Sequence, residues 1–219
     1  MDTRLVADSV SRLEVPRRYS RTLLGCVGPA TGRRRGLWLA RQRTGDRFPP
    51  FCHDGTERPI GRPTDDLEQE SCFSGKKKRH TVKNLLLIDQ ALTVVFLSPT
   101  YDGTVHDKRI ADENPYCLPP KSHLLQDLGF VGFTLEGVHM IMPHKKPRGQ
   151  ELTLEQKTEN RGISQRRVRI EHVNSSVKRC RIVKDTIRLI KEGVRDIVME
   201  VCCALHNFRL RLTPWQPLT

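Results

Sequence analysis

From residue 84 onward the apolar positions fall into short runs separated by turn signals. Asn84-Leu-Leu-Leu-Ile-Asp89 and Leu92-Thr-Val-Val-Phe-Leu97 flank Asp89-Gln90-Ala91. The runs are short and rich in β-branched residues, so they predict a β-hairpin buried on at least one face. Ser98-Pro99 ends the second strand. Residues 106–114 have a helical pattern closed by Pro115, and Leu124-Leu125 and Val138–Met142 predict two more short strands. A polar stretch, 143–159, reads as a connection. A helix is then expected from about Ile163 to Arg181, with Ile163, Ile170, Val173 and Val177 turned inward. A second is expected from about Lys184 to Phe208. Its Ile187, Ile190, Val194, Ile197, Val201, Leu205 and Phe208 recur at spacings of 3 and 4, which predicts one buried face. Asp185 near its start suits the positive end of a helix dipole. Strands first and helices later indicate an α/β domain, a mixed or largely antiparallel sheet with flanking helices.

The first fifty residues lack such a pattern. Val6, Val10 and Leu13 could form a short helix ending near Pro16. Beyond it Gly28-Pro29, Gly32-Arg-Arg-Arg-Gly36 and Pro49-Pro50 break regular structure. The basic residues differ as well. Residues 1–50 hold 11 Arg, no Lys and 4 acidic residues, a net of +7, whereas all 12 Lys lie after position 75. The expected organisation is therefore a basic, poorly ordered leader over 1–50, foreign to the domain it precedes, and a folded domain over 51–215. The leader reads either as a nucleic-acid-binding arm or as a solvated tail.

The whole chain of 219 residues carries 38 Lys and Arg against 25 Asp and Glu, a formal net charge of +13. That excess favours an anionic partner, with nucleic acid foremost. No run of about 18 apolar residues is present, which excludes a transmembrane helix. The N-terminus has no secretory signal pattern. Seven Cys without a CxxC pair are neither a disulfide framework nor a zinc ribbon, and imply reduced thiols in a cytosol.

Three carboxylates have suggestive surroundings: Asp54 in His53-Asp-Gly-Thr-Glu-Arg-Pro-Ile60, Asp127 in Leu124-Leu-Gln-Asp-Leu-Gly-Phe130, and Glu171 in Arg166-Arg-Val-Arg-Ile-Glu-His172. In a basic protein, separated carboxylates fit metal-assisted phosphodiester cleavage. Hard oxygen ligands hold Mg²⁺ and leave coordination positions for water and phosphate, while Lys and Arg clamp the nucleic-acid backbone. On the expected helix, Arg167, Glu171, Asn174 and Lys178 share one face. On spacing alone, the same line reads as a solvated face whose charges pair with one another. Asp107, after His106, is a further conspicuous acid, read as structural or as a substitute for Asp127.

At these residues the chain resembles the DDE-superfamily transposases of bacterial insertion sequences, in the group related to Harbinger-type endonucleases. The matching stretches are Asp54–Ile60, Phe73–Lys83, Ser98–Asp107, Leu125–Phe130, Lys145–Pro147, Arg169–His172, Val177–Arg179 and Leu205–Phe208. They occur in family order and cover about 52–215. The resemblance implies an RNase H-like fold, a mixed sheet with helices on both faces. It also implies a nuclease dependent on Mg²⁺ or Mn²⁺ that cuts transposon-end DNA and joins it to target DNA, in a bacterial cytoplasm on the nucleoid, with relatives acting as oligomers on DNA. Asp54, Asp127 and Glu171 take the places of the catalytic, metal-holding triad. Arg167 and Lys178 match an R(3)E(6)K spacing, with Ser164 where that pattern has Tyr. Lys76, Lys77, Lys78, Arg79, Lys145 and Lys146 are expected to face DNA, alongside Arg167 and Lys178.

Two departures qualify the match. The approach Arg47-Phe-Pro-Pro-Phe-Cys-His53 puts two prolines where the first strand should run, so that strand is expected to be short or missing. Full-length relatives carry an N-terminal helical DNA-binding region that residues 1–50 do not resemble, which a truncated or rearranged copy would explain. A non-catalytic DNA-binding remnant is the alternative reading.

Overall fold

The computed structural model describes residues 50–189, 191 and 193–214, together with the backbone of Leu37–Trp38. The leader, apart from Leu37–Trp38 and Pro50, lies outside the described residues, as do the short helix expected around Val6–Leu13 and Ile190.

The organising element is β2, Pro50–Pro59. It pairs antiparallel with β4, Arg79–Ile88, over Cys52↔Ile88 to Pro59↔Thr81. On its other edge it pairs in parallel with β7, His123–Leu125. A full strand thus stands where a short or missing one was expected. Pro50 is its first residue, where a missing N–H interrupts no ladder, and Pro49 lies outside the described residues. β4 continues through a turn into β5, Val94–Leu97, in register Leu87↔Phe96. The turn is closed by the Asp89 carboxylate accepting from Thr93 N at 2.9 Å. β7 pairs in parallel with β8, His139–Ile141. β1, Leu37–Trp38, lines the outer edge of β5 inside the expected leader. The sheet order is β1-β5-β4-β2-β7-β8, with the short β3, Phe73–Ser74, and β6, Tyr101–Asp102, added to β4.

Alternation along β4 divides the core. Leu86 and Ile88 join Cys52 and Val94 against Ile170, Val173 and Val177 of α3, Leu154–Val177, and Met199 and Cys203 of α5, Val194–Leu212. Leu85 and Leu87 face the other way, with Phe51, Phe96, Tyr116, Leu124 and Phe130, against Ile110 of α2, Asp107–Glu113. The sheet is therefore mixed and covered by helices on both faces. α1, Asp66–Cys72, precedes β3.

The helices correct three expectations. α3 begins at Leu154, inside the stretch read as a connection, because Thr153 and Gln156 form a reciprocal capping box. The second helix divides into α4, Arg181–Lys184, and α5. Between them Ile187 bridges to Ile60, its N–H donating to Pro59 O at 2.9 Å. Asp185 accordingly closes α4 and pairs with Arg181 at 2.9 Å, and starts no long helix. Finally, α5 buries Met199, Cys202, Cys203, His206 and Asn207, while Ile197, Val201, Leu205 and Phe208, expected inside, are exposed. The buried polar groups are satisfied. Asn207 accepts from Val94 N and donates to Val94 O, both at 2.9 Å, and so extends the β5 ladder sideways.

Arg58, fully buried, fastens the far end of β2. It donates to Asn84 Oδ1 at 2.6 Å, Thr100 Oγ1 at 2.9 Å and Arg195 O at 3.1 Å. Cys52, Cys72, Cys180, Cys202 and Cys203 are free thiols. No helix among the described residues is long and apolar enough to cross a membrane.

Candidate active site

Asp54 sits mid-way along β2, and Asp127 follows β7, its parallel neighbour. Because the strands run side by side, the two carboxylates come to one edge of the sheet. Asp127 caps the 3₁₀ turn Leu128–Phe130, its Oδ1 accepting from Gly129 N at 2.7 Å. α3 crosses this edge and lowers two side chains onto it. Arg167 Nη2 stands 3.9 Å from Asp54 Oδ1 and 3.6 Å from Asp127 Oδ2. Asn174 Nδ2 donates to Asp54 Oδ2 at 3.1 Å. One guanidinium nitrogen thus serves both carboxylates, at distances longer than a direct hydrogen bond.

Glu171 lies between Arg167 and Asn174 on the same helical face. Its side chain is exposed and makes no hydrogen bond or ion pair with a described residue. Among the described residues no group of three or more His, Cys, Asp or Glu side chains converges closely enough to hold a metal ion. Asp54 and Asp127 are brought together; Glu171 is one helical turn from the groups that touch them.

Burial pushes the Asp54 carboxyl up to about 6. The Arg167 guanidinium pulls the other way, and nearby Asp127 and Asp107 add to the rise. Asp107 approaches from the first turn of α2. It occupies the space beside Gly55, where a Cβ would fall 2.7 Å from its carboxyl carbon. Its Oδ2 would also lie 3.7 Å from a Cβ at Gly129, in the turn that Asp127 caps. It pairs with Lys83 at 3.4 Å, and Lys83 also reaches Glu57 at 3.8 Å. These contacts fit the structural reading of Asp107.

The expected DNA-facing cations separate into two sets. Lys76, Lys77 and Lys78 form the exposed turn between β3 and β4, and Arg79 opens β4. Lys178, at the C-terminal end of α3, has its pKa lowered by burial and then by the proximity of Lys77, while Asp54 opposes the change. The turn therefore comes beside the end of α3 and the carboxylate edge. Lys145 and Lys146 lie apart, exposed in the loop after β8, where Lys146 pairs with Glu151.

Sequence reasoning missed the layer behind the carboxylates. His53 on β2 and Gln126 just after β7, each one residue before a site aspartate, are fully buried. The His53 ring stacks on Phe130 with centroids 3.9 Å apart, and its Nδ1 meets the Tyr116 hydroxyl. His53 Nε2 and Gln126 Oε1 are both buried without a hydrogen-bond partner. Burial drives the imidazole down to about 3, with the Gln126 side chain opposing. His53 is thus neutral. The signal was present: a His-Asp and a Gln-Asp dipeptide, legible as a pair once β2 and β7 are known neighbours.

Residues 53–207 match the family model described as DDE superfamily endonuclease. The chain is 34% identical over 163 residues to the probable transposase for insertion sequence element IS702 of Microchaete diplosiphon, covering 73% of this chain and 56% of that protein. It thus spans little more than half the length of that curated relative. No solved structure matches.

Proposed function

The chain belongs to the DDE superfamily endonucleases, and from that premise we propose that it is the catalytic part of an insertion-sequence transposase, cleaving transposon-end DNA and joining it to target DNA. The fold is read as RNase H-like. Its support is the order β5-β4-β2-β7-β8, in which the first two pairings are antiparallel and the last two parallel. The observation that carries the functional reading is the approach of one Arg167 nitrogen to both Asp54 and Asp127, from the helix that also bears Glu171.

The donor set fits a hard divalent cation, Mg²⁺ or Mn²⁺. Asp54 and Asp127 offer carboxylate oxygens, and the buried Asn174 Oδ1 beside them has no hydrogen-bond partner. Asp54, Asp127 and Glu171 would hold the ion. When bound, such an ion supplies Lewis acidity and a water of lowered pKa. The protein's own residues do the rest. Asn174 orients the Asp54 carboxylate. Arg167 offsets the mutual repulsion of the two aspartates and can turn to a phosphate oxygen. Lys77 and Lys178 present positive charge where the DNA backbone would pass, contacts that position DNA without reading its sequence. The chain acts in a bacterial cytoplasm on nucleoid DNA, and as an oligomer there.

Metal-dependent nicking of supercoiled DNA, lost in Asp127→Asn and in Glu171→Gln, is the decisive assay. Metal binding should also be visible without turnover, as a Mn²⁺-induced rise in melting temperature that Asp54→Asn removes. One observation favours a second reading, a DNA-binding protein without a metal centre: Arg167 already provides a positive charge to both aspartates while Glu171 stays apart. Salt-sensitive DNA binding with neither nicking nor a Mn²⁺ shift would select it.

A further inference from the structure

His123 and His139 open neighbouring strands and are direct partners in the parallel ladder of β7 and β8. Paired residues of adjacent strands project from the same face of a sheet, here the face of Leu125 and Ile141 two positions on. The two imidazoles lie with centroids 5.4 Å apart and planes inclined by 26°. His123 is half-buried and His139 exposed, and neither ring is hydrogen-bonded or ion-paired to a described residue.

The backbone beneath the pair is fixed. Lys121 N–H donates to Gly137 O at 2.6 Å, and His139 N–H to Ser122 O at 2.8 Å. Ser122 is itself fully buried, and its hydroxyl donates to Pro119 O at 2.6 Å. Two ligating side chains thus stand on a preformed frame, which lowers the ordering cost of binding an ion.

We propose that His123 and His139 chelate a borderline divalent cation, Zn²⁺ foremost, across β7 and β8. A tetrahedral Zn²⁺ held by two imidazole nitrogens at about 2.0–2.1 Å sets the ring centroids roughly 5 Å apart. The observed 5.4 Å is already close to that separation. A turn about χ2, a broad torsion for His, brings one nitrogen of each ring to the gap. Among the described residues no third His, Cys, Asp or Glu joins the pair, so water completes the coordination.

Nitrogen ligands distinguish this site from the carboxylate edge, since Mg²⁺ and Mn²⁺ favour oxygen while imidazole suits Zn²⁺. Position separates them too: Asp127 is four residues beyond His123, up to about 13 Å of extended chain. The ion ties β8, the outermost strand on that side of the sheet, to β7. The inference does not rest on the endonuclease reading, since it uses none of the carboxylates.

The test is calorimetric titration of the full chain with Zn²⁺ at neutral pH, in excess Mg²⁺ to fill the carboxylate edge, beside His123→Gln and His139→Gln. The expected result is a site of micromolar Kd in the parent. The second imidazole binds intramolecularly, so removing either should weaken that site about tenfold or more. Zn²⁺ should raise the melting temperature of the parent and of neither variant, while the Zn²⁺-free melting temperatures stay equal. A parent that does not bind Zn²⁺ overturns the proposal. Equal binding in the parent and both variants also overturns it, because thiols or carboxylates would then hold the ion. A loss confined to one variant overturns the chelate, leaving a single imidazole ligand. If a variant melts lower without Zn²⁺, electron paramagnetic resonance of the parent loaded with Cu²⁺ decides: splitting from two nitrogens upholds the chelate, and splitting from one or none overturns it.

Discussion

Gly55 backs directly onto Asp107: a Cβ at residue 55 would lie 2.7 Å from both Cγ and Oδ1 of that carboxylate. The close approach joins the strand bearing Asp54 to the first turn of α2, and Lys83 holds the carboxylate in place. Gly55→Ala should therefore destabilise the fold by about 1–2 kcal/mol, as overpacking does, measured by urea unfolding. Asp107→Ser should recover part of that loss in the Gly55→Ala background while being costly alone, a coupling that a double-mutant cycle reads directly. An alanine variant as stable as the parent would show that the contact is not tight.

Asp54 gives a dependence on pH of defined sign. Its carboxyl titrates near 3.8 in the ordinary state and is pushed up to about 6 in the fold. The folded protein thus binds this proton more tightly than the unfolded chain. The cost of ionising Asp54 is absent below pH 3.8, grows as the pH rises through the interval and is complete above about 6. Without divalent metal, Asp54→Asn should be more stable than the parent at pH 7.5, by on the order of 1–3 kcal/mol, and equal to it at pH 3.5. Urea titrations in EDTA at the two pH values make the comparison.

Arg167 and a divalent ion compete for the same carboxylates. Removing the guanidinium in Arg167→Ala leaves Asp54 and Asp127 to repel each other, so in EDTA the melting temperature should fall by several degrees, for a loss of about 1 kcal/mol. With Mn²⁺ present the variant should gain more in melting temperature than the parent, because no cation has to be displaced. DNA nicking should still fall, for want of the phosphate contact. Equal Mn²⁺ shifts in parent and variant would separate Arg167 from the metal-holding groups.

His53 acts in the opposite sense to Asp54. Burial lowers its pKa from 6.5 to about 3, so the unfolded chain takes up a proton that the folded chain refuses. Stability from this residue is complete above pH 6.5 and is lost as the pH falls toward 3. His53→Phe keeps the ring stacked on Phe130 but leaves the Tyr116 hydroxyl without its partner, a cost of about 1–3 kcal/mol at pH 7. The variant should also lose part of the acid-induced destabilisation of the parent between pH 6.5 and 4, seen as a flatter acid limb in unfolding free energy.

Local elements were legible in the residue pattern wherever one periodicity dominated. The hairpin of β4 and β5, the helix at Asp107–Glu113 and the strands at His123–Leu125 and His139–Ile141 all stand close to where alternation and turn residues put them. The residue pattern marked the family too, through short motifs in order, and placed Asp54, Asp127 and the Arg167–Lys178 face before any pairing was known. Tertiary structure decided what depends on partners distant in the chain. Pro49-Pro50 read as a strand breaker, yet Pro50 opens a ten-residue strand, because only the pairing with β4 and β7 fixes where the ladder starts. The Arg167 link between two aspartates exists because parallel β2 and β7 lie side by side beneath α3. In α5, hydrophobic period revealed an apolar stripe but not the direction it faces. Asn207 and His206 reach β5 and the turn before it with specific hydrogen bonds, and that anchoring turns the polar side inward and leaves Ile197, Val201, Leu205 and Phe208 in water. Orientation there follows from buried polar groups that must find partners, a requirement that hydropathy along one helix does not express.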